Sequence, residues 1–274
     1  MSAKRFFLVL SILGLTLLWP ISCKAGNVIE QEPVPQEMQM GVNAVWDLVV
    51  IGDSSLWGCG KAFAEQIAKD NAVEVELDDF TLGGLSAGEV VDALNTGKSQ
   101  RLQLEALPEA LRNAEVVVMF VNPENSEVSG MPIEIDPCFF ASQPGSCEMD
   151  RFAQYISDLE SIWARILELR GGQPIILRAT DIYNPLIDHW QNAGVFEECN
   201  ACWINLSTAT RTAAENMNIP FLSRYDAFNG VDHKEDPNLK GYIRGDGEHP
   251  TELASEYTAT LLSKMGYAPY QPQE

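Results

Sequence analysis

The sequence predicts an α/β protein: a three-layer α/β/α sandwich around about five parallel strands. Two observations carry this. Residues 48–51 and 116–121 are unbroken apolar runs rich in β-branched side chains, as expected of strands covered on both faces. Such runs also alternate with helical periodicity through most of the chain, and that order calls for a parallel sheet with helices on both sides. No linker divides the pattern, so one domain is expected over residues 45–268 of the 274.

The elements follow in order. Trp46-Asp47-Leu48-Val49-Val50-Ile51 is the first strand, and it stops at Gly52-Asp53-Ser54-Ser55. Residues 60–70 are helical, with Phe63, Ala64 and Ile67 on one face. Residues 73–77 alternate and read as a second strand. Residues 83–88 are a glycine-rich turn leading into a helix over 89–94. A further helix spans 102–113, before the central strand 116–121 ends at Asn122-Pro123. Residues 126–150 are an irregular loop rich in proline and glycine, long enough to be a functional insertion or flap. Residues 151–170 form a strongly amphipathic helix that Gly171-Gly172 stops. The fourth strand spans 174–179. An irregular or helical cover occupies 185–203, and a helix follows over 207–217. A short fifth strand spans 219–222 and a polar loop 229–247. The last helix spans 251–265, with Pro250 suited to its first position.

The chain carries a formal charge of −21, which disfavours binding to phosphate backbones or anionic headgroups, so no nucleic-acid partner is expected. Lys4 and Arg5 precede an apolar run over residues 6–19, short for a membrane span and suited to a secretory signal. Residues 1–25 are therefore read as a signal peptide or lipoprotein signal, residues 26–44 as a linker, and residues 269–274 as a tail. Cleavage before Cys23 would leave that cysteine to carry lipid, although Pro20 stands where such sites usually have leucine. Cleavage after Ala25 would remove it. Either route makes the protein extracytoplasmic, secreted or anchored only through lipid.

Export permits disulfides. The spacings suggest Cys138–Cys147 and Cys199–Cys202, with Cys59 left buried behind the first strand. Structural zinc on these four cysteines and a redox dithiol at Cys199-Asn200-Ala201-Cys202 are weaker readings, because neither the spacing nor the context is usual for them.

A hydroxyl just beyond the carboxyl end of a buried strand lies where open α/β sheets bind ligands, so Ser54 is a candidate nucleophile. A serine needs a base, and histidine is the usual one. Of the three histidines, His189 and His233 directly follow an aspartate. His249 instead lies three residues after Asp246, a spacing that one turn can close so that the carboxylate meets Nδ1. Taken alone, Asp-x-x-His is more simply a helix cap beside a surface histidine.

Gly-Asp-Ser after the first strand, a glycine turn after the second, an asparagine after the third and Asp-x-x-His before the last helix together resemble the four sequence blocks of the SGNH (GDSL-type) hydrolase superfamily. The resemblance covers most of the chain after the export signal. It implies a flavodoxin-like topology and an esterase that uses Ser54, His249 and Asp246. It also implies an oxyanion hole built from the Ser54 and Gly84 backbone N–H groups and the Asn122 amide, with no metal or cofactor. The substrate would be a small-molecule, glycan or lipid ester, as for a carbohydrate deacetylase or a lysophospholipase or thioesterase. Three departures stand out. Ser55 replaces the usual Leu or Ile and is an alternative nucleophile. Asn122 lacks its flanking Gly and Asp. A slip of one residue would put Gly83 in place of Gly84. Asp181, Tyr183 and Asn184, after the fourth strand, are candidates for lining the substrate cleft or, equally, plain turn residues. The alternative function is a non-catalytic surface binding protein on the same fold.

Overall fold

The computed structural model describes residues 45–123 and 148–271. Among them, β1 (Val45–Gly52), β2 (Glu74–Thr81), β3 (Val116–Phe120), β4 (Ile176–Thr180) and β5 (Phe221–Leu222) form one sheet in the order β2-β1-β3-β4-β5. Every pairing is parallel. The predicted export signal and linker, Cys23, Cys138 and Cys147 lie outside the described residues.

Side chains alternate across the central strands, and both faces are buried. Leu48, Val50, Val116, Val118 and Phe120 point to one layer, packed with Phe63 and Ile67 of α1 (Cys59–Asn71) and Ala259 and Leu262 of α8 (Glu252–Lys264). Val49, Ile51, Val117 and Met119 point to the other. There they meet α2 (Ala87–Thr96), α3 (Leu107–Asn113), α4 (Ala153–Arg170) and α6 (Phe196–Asn216). The layering follows from handedness. The chain leaves β1 toward β2, then reverses and crosses β1 to reach β3, so right-handed crossovers place α1 on one face and α2 to α4 on the other. The remaining helices, α5 (Ile187–Ala193) and α7 (Arg224–Asn229), lie at the carboxyl side of β4 and β5.

Several boundaries differ from the sequence reading. β2 runs on through Asp78 and Asp79, in register with β1 to Gly52↔Thr81. As an edge strand it leaves its acidic side chains partly in solvent, so the acidic pair did not end it. The helix expected over 102–113 is a 3₁₀ turn (Leu102–Ala106) followed by α3, with a proline in the first turn of α3. Residues 196–216 form one helix, where an irregular cover and a separate helix were expected. Phe196, Cys199, Trp203, Leu206, Thr210 and Ala213 recur at helical spacing along its buried face, and neither Pro nor Gly interrupts it. α7 falls where no helix was expected. Pro250 does not open α8: Thr251 is the N-cap, its Oγ1 accepting from Ala254 N at 3.3 Å.

Gly52 ends β1 because nothing larger fits. A Cβ there would stand 2.5 Å from Leu56 Cδ1 and 3.0 Å from the Phe120 carbonyl oxygen. Gly52→Ala is therefore expected to lower the free energy of unfolding by about 1–3 kcal/mol. At Gly245 an added Cβ meets nothing within 4 Å, and Gly245→Ala should stay within about 0.5 kcal/mol. Urea denaturation of both variants measures this.

Candidate active site

The chain after β1 turns at once. Asp53 caps a 3₁₀ turn over Ser54–Leu56, and Trp57 N closes it by donating to the Ser54 carbonyl at 3.2 Å. Ser54 is half-buried at the mouth of this turn and Ser55 is buried within it. Ser55 Oγ donates to Asp53 Oδ1 at 2.6 Å, and Ser55 N donates to the same oxygen at 2.9 Å. The hydroxyl of Ser55 is thus engaged within the turn, and Ser54 is the more exposed of the two serines. Cys59, five residues beyond Ser54, is a buried free thiol whose pKa burial raises to about 12, so it stays protonated.

The loops after β2 and β3 are tied to the same edge. Leu82 N donates to Gly52 O at 2.8 Å, and Asn122 N donates to Leu85 O at 2.9 Å. Ala87 N returns a bond to Asn122 O at 2.8 Å. Gly84 lies between these ties with φ +65, a conformation that glycine adopts without strain. Ser86 caps α2 in a capping box with Glu89. Arg101 pairs with Glu89 at 2.7 Å and donates to the Gly83 carbonyl at 2.9 Å, bracing the glycine turn from behind. Asn122 Nδ2 donates to Asp53 Oδ2 at 2.7 Å. A carboxylate only accepts, so this contact fixes which end of the amide is nitrogen and leaves its second N–H for another acceptor.

The turn before α8 brings its two predicted residues together. Asp246 Oδ1 accepts from the backbone N–H of Glu248 and of His249, both at 3.0 Å, and Oδ2 lies 3.0 Å from His249 Nδ1. The backbone N–H groups of His249 and Glu248, with the ring itself, hold the Asp246 carboxyl down at about 2. The imidazole stacks on Trp57, with centroids 4.6 Å apart and planes 14° apart. Trp57, the residue stacked on this imidazole, is also the one whose N–H closes the Ser54 turn. Ser255 Oγ of α8 also donates to the Trp57 carbonyl at 2.9 Å, and Tyr183 OH donates to the Glu248 carbonyl at 2.9 Å. No hydrogen bond joins Ser54 Oγ to His249 Nε2 among the described residues. Such contacts are often loose without substrate.

The other candidates fall elsewhere. His233 is tied to Asp226 at 2.7 Å and stacked on Tyr225, while His189 is exposed on α5. The proposed cleft residues are interior. Asp181 and Asn184 are fully buried and Tyr183 is 1% exposed. Asp181 accepts from Ser207 Oγ, Ser223 Oγ and the N–H groups of Arg224 and Tyr225. Asn184 exchanges bonds with Asn229. They hold the loops after β4 and β5 and do not line an open cleft. Cys199 and Cys202 lie buried on α6 and neither is free.

Trp57 and Arg224 escaped the sequence reading. The only signal for Arg224 was Ser223-Arg224-Tyr225-Asp226, a Ser-x-x-Asp cap pattern just after a strand. Trp57 carried none, since its partner lies 192 residues away.

No protein-family model matches this sequence, and no curated protein does. Solved structures do match. A lipase from a goat-rumen metagenome superposes with a TM-score of 0.59 at 17% identity, covering 82% of this chain and 99% of that one. A lipase/acylhydrolase from Enterococcus faecalis gives 0.51 at 14% identity, covering 84% and 100%. The chain has the SGNH-hydrolase fold. The SGNH-type topology expected from the sequence blocks is thus borne out; at these identities the likeness is one of fold.

For Cys59 the expected outcome is plain. A thiol reagent should leave it unmodified in the native protein and label it after denaturation, read by peptide mass spectrometry.

Proposed function

We propose that the protein is a serine esterase of the SGNH type, acting through Ser54, His249 and Asp246. The observation that carries this reading is the contact of Asp246 Oδ2 with His249 Nδ1 on a ring stacked against Trp57, three residues after Ser54. The fold shared with a lipase and a lipase/acylhydrolase supports it.

In this mechanism Ser54 Oγ attacks the ester carbonyl carbon while His249 Nε2 takes the hydroxyl proton. Asp246 holds the tautomer that presents Nε2 and offsets the imidazolium charge. The oxyanion accepts from the N–H groups of Ser54 and Gly84 and from the Asn122 amide, the kind of fixed donors that stabilise charge as it develops. Collapse breaks the bond to the alkoxy oxygen, which leaves as alcohol with the proton from His249. Water then adds to the acyl-enzyme with His249 again as base, and the acid departs with Ser54 restored. The residues invoked require no metal or cofactor.

The same proposal places the protein outside the cytoplasm. Its supports are the basic start at Lys4 and Arg5, the apolar run over 6–19, and cysteines on α6 that are not free. Cys23 is the lipidation candidate, and the pairings Cys138–Cys147 and Cys199–Cys202 belong to this reading. The substrate class is an ester of a small acyl group on a carbohydrate, or of a longer acyl group on a lipid or thiol carrier.

Hydrolysis of p-nitrophenyl esters of graded acyl length tests the proposal. Ser54→Ala and His249→Ala should each lower kcat by a factor on the order of 10⁴ or more, while Ser55→Thr keeps activity. No turnover of any ester by the wild type would leave the non-catalytic binding protein as the better reading.

The pH profile gives a separate expectation. The Asp246 carboxyl is lowered from 3.8 to about 2, so it stays ionised down to that pH. Between pH 4 and 8 Asp246 should therefore add no proton to the acid limb of kcat/KM, whose slope should not exceed one. A slope of two would mean that Asp246 takes up a proton in that range.

A further inference from the structure

The block departures and the buried cation Arg224 point to one device. Arg224 is 1% exposed, and its guanidinium spans two loops. Nε donates to the Asp181 carbonyl at 2.7 Å, Nη1 to the Ser55 carbonyl at 2.7 Å, and Nη2 to Ser55 Oγ at 3.0 Å. The rings of Phe120 and Tyr183 lie 5.6 Å from its central carbon, which restricts its rotation. Since Arg224 can only donate, the single hydroxyl proton of Ser55 must go to Asp53 Oδ1. Asp53 in turn accepts from Asn122 Nδ2 at 2.7 Å.

We propose that Arg224 and Ser55 are positioning residues for the oxyanion donor Asn122. They act through Asp53 to fix the direction of the amide's free N–H. This rests on the esterase reading of the site. The relay Arg224–Ser55–Asp53–Asn122 is continuous, and Asp53, Ser55 and Arg224 are each at most 6% exposed, so each bond runs where water does not compete. It also gives a reason for Ser55 in place of an aliphatic residue. A Leu side chain could neither accept from Arg224 nor donate to Asp53. Asn122, without its usual neighbours and followed by Pro123, takes its orientation from Asp53.

The test is a double-mutant cycle on p-nitrophenyl acetate, with Ser55→Ala made in wild type and in Asn122→Ala. In wild type, Ser55→Ala should lower kcat on the order of 10-fold or more with KM within about 2-fold, since loss of a whole oxyanion donor costs about 10²–10³. Ser55→Thr should restore kcat to within a few-fold. In Asn122→Ala, adding Ser55→Ala should cost less than about 2-fold. Arg224→Lys, which cannot span both Ser55 contacts, should repeat the kcat-only loss; circular dichroism melts confirm that each variant is folded. Equal costs of Ser55→Ala in the two backgrounds, an unchanged kcat, or a loss in KM alone would overturn the relay while leaving the esterase reading intact. Absence of turnover in wild type would instead overturn both.

Discussion

The site depends first on a constraint of topology. β1 is the strand from which the chain departs to one side, toward β2, and past which it returns to β3. Right-handed crossovers then put α1 and α2 on opposite faces, so the helices diverge at the carboxyl ends of β1 and β3 and leave a crevice. Gly52 stands where the chain turns toward that crevice, and a side chain there would collide with Leu56 of the turn and crowd the Phe120 carbonyl of β3. Ser54 stands at the crevice for that reason, before any chemistry is considered. The backbone bonds Leu82 to Gly52 and Asn122 to Leu85 then draw the second and third loops to the same edge.

What the sequence showed and what it hid divide along the same line. The layers were legible, because runs such as 116–121 are short, apolar on both faces and rich in β-branched residues, the pattern of a doubly covered strand. The pair Asp246 and His249 was legible because its geometry is local: one turn closes it, with Asp246 Oδ1 capping the turn and Oδ2 left for the ring. Arg224 was not legible, since its meaning lies in Ser55, 169 residues away. Asp181, Tyr183 and Asn184 misled for the opposite reason. Polar residues after a strand suggest a cleft, and here burial and mutual hydrogen bonding turn them inward. Single-sequence patterns report neighbours along the chain and not partners across it.

Two of the aspartates in the loops after the strands, Asp246 and Asp181, show how environment divides similar groups. Asp246 is partly exposed, and its carboxyl is lowered chiefly by the backbone N–H groups of its own turn. Its charge depends on local hydrogen bonds and persists in solvent. Asp181 is fully buried, and there burial raises the carboxyl against the donors Ser207, Tyr225 and Ser223 and the charge of Arg224. Two carboxylates near one crevice thus have different supports: a turn for the one that would serve histidine, and a network of donors for the one that holds the loops.

That network bears on how far the altered blocks depart from a working site. Replacing an aliphatic residue by Ser55 inside a buried turn would cost free energy if its hydroxyl found no partner. Here it has two, Asp53 and Arg224, and both partners are themselves satisfied by it. A buried arginine is costly in turn unless several acceptors meet it, and Arg224 finds the carbonyls of Asp181 and Ser55 together with that same hydroxyl. Ser55 and Arg224 therefore each supply one of the other's partners, and through the Ser55 hydroxyl both bear on the carboxylate to which Asn122 donates.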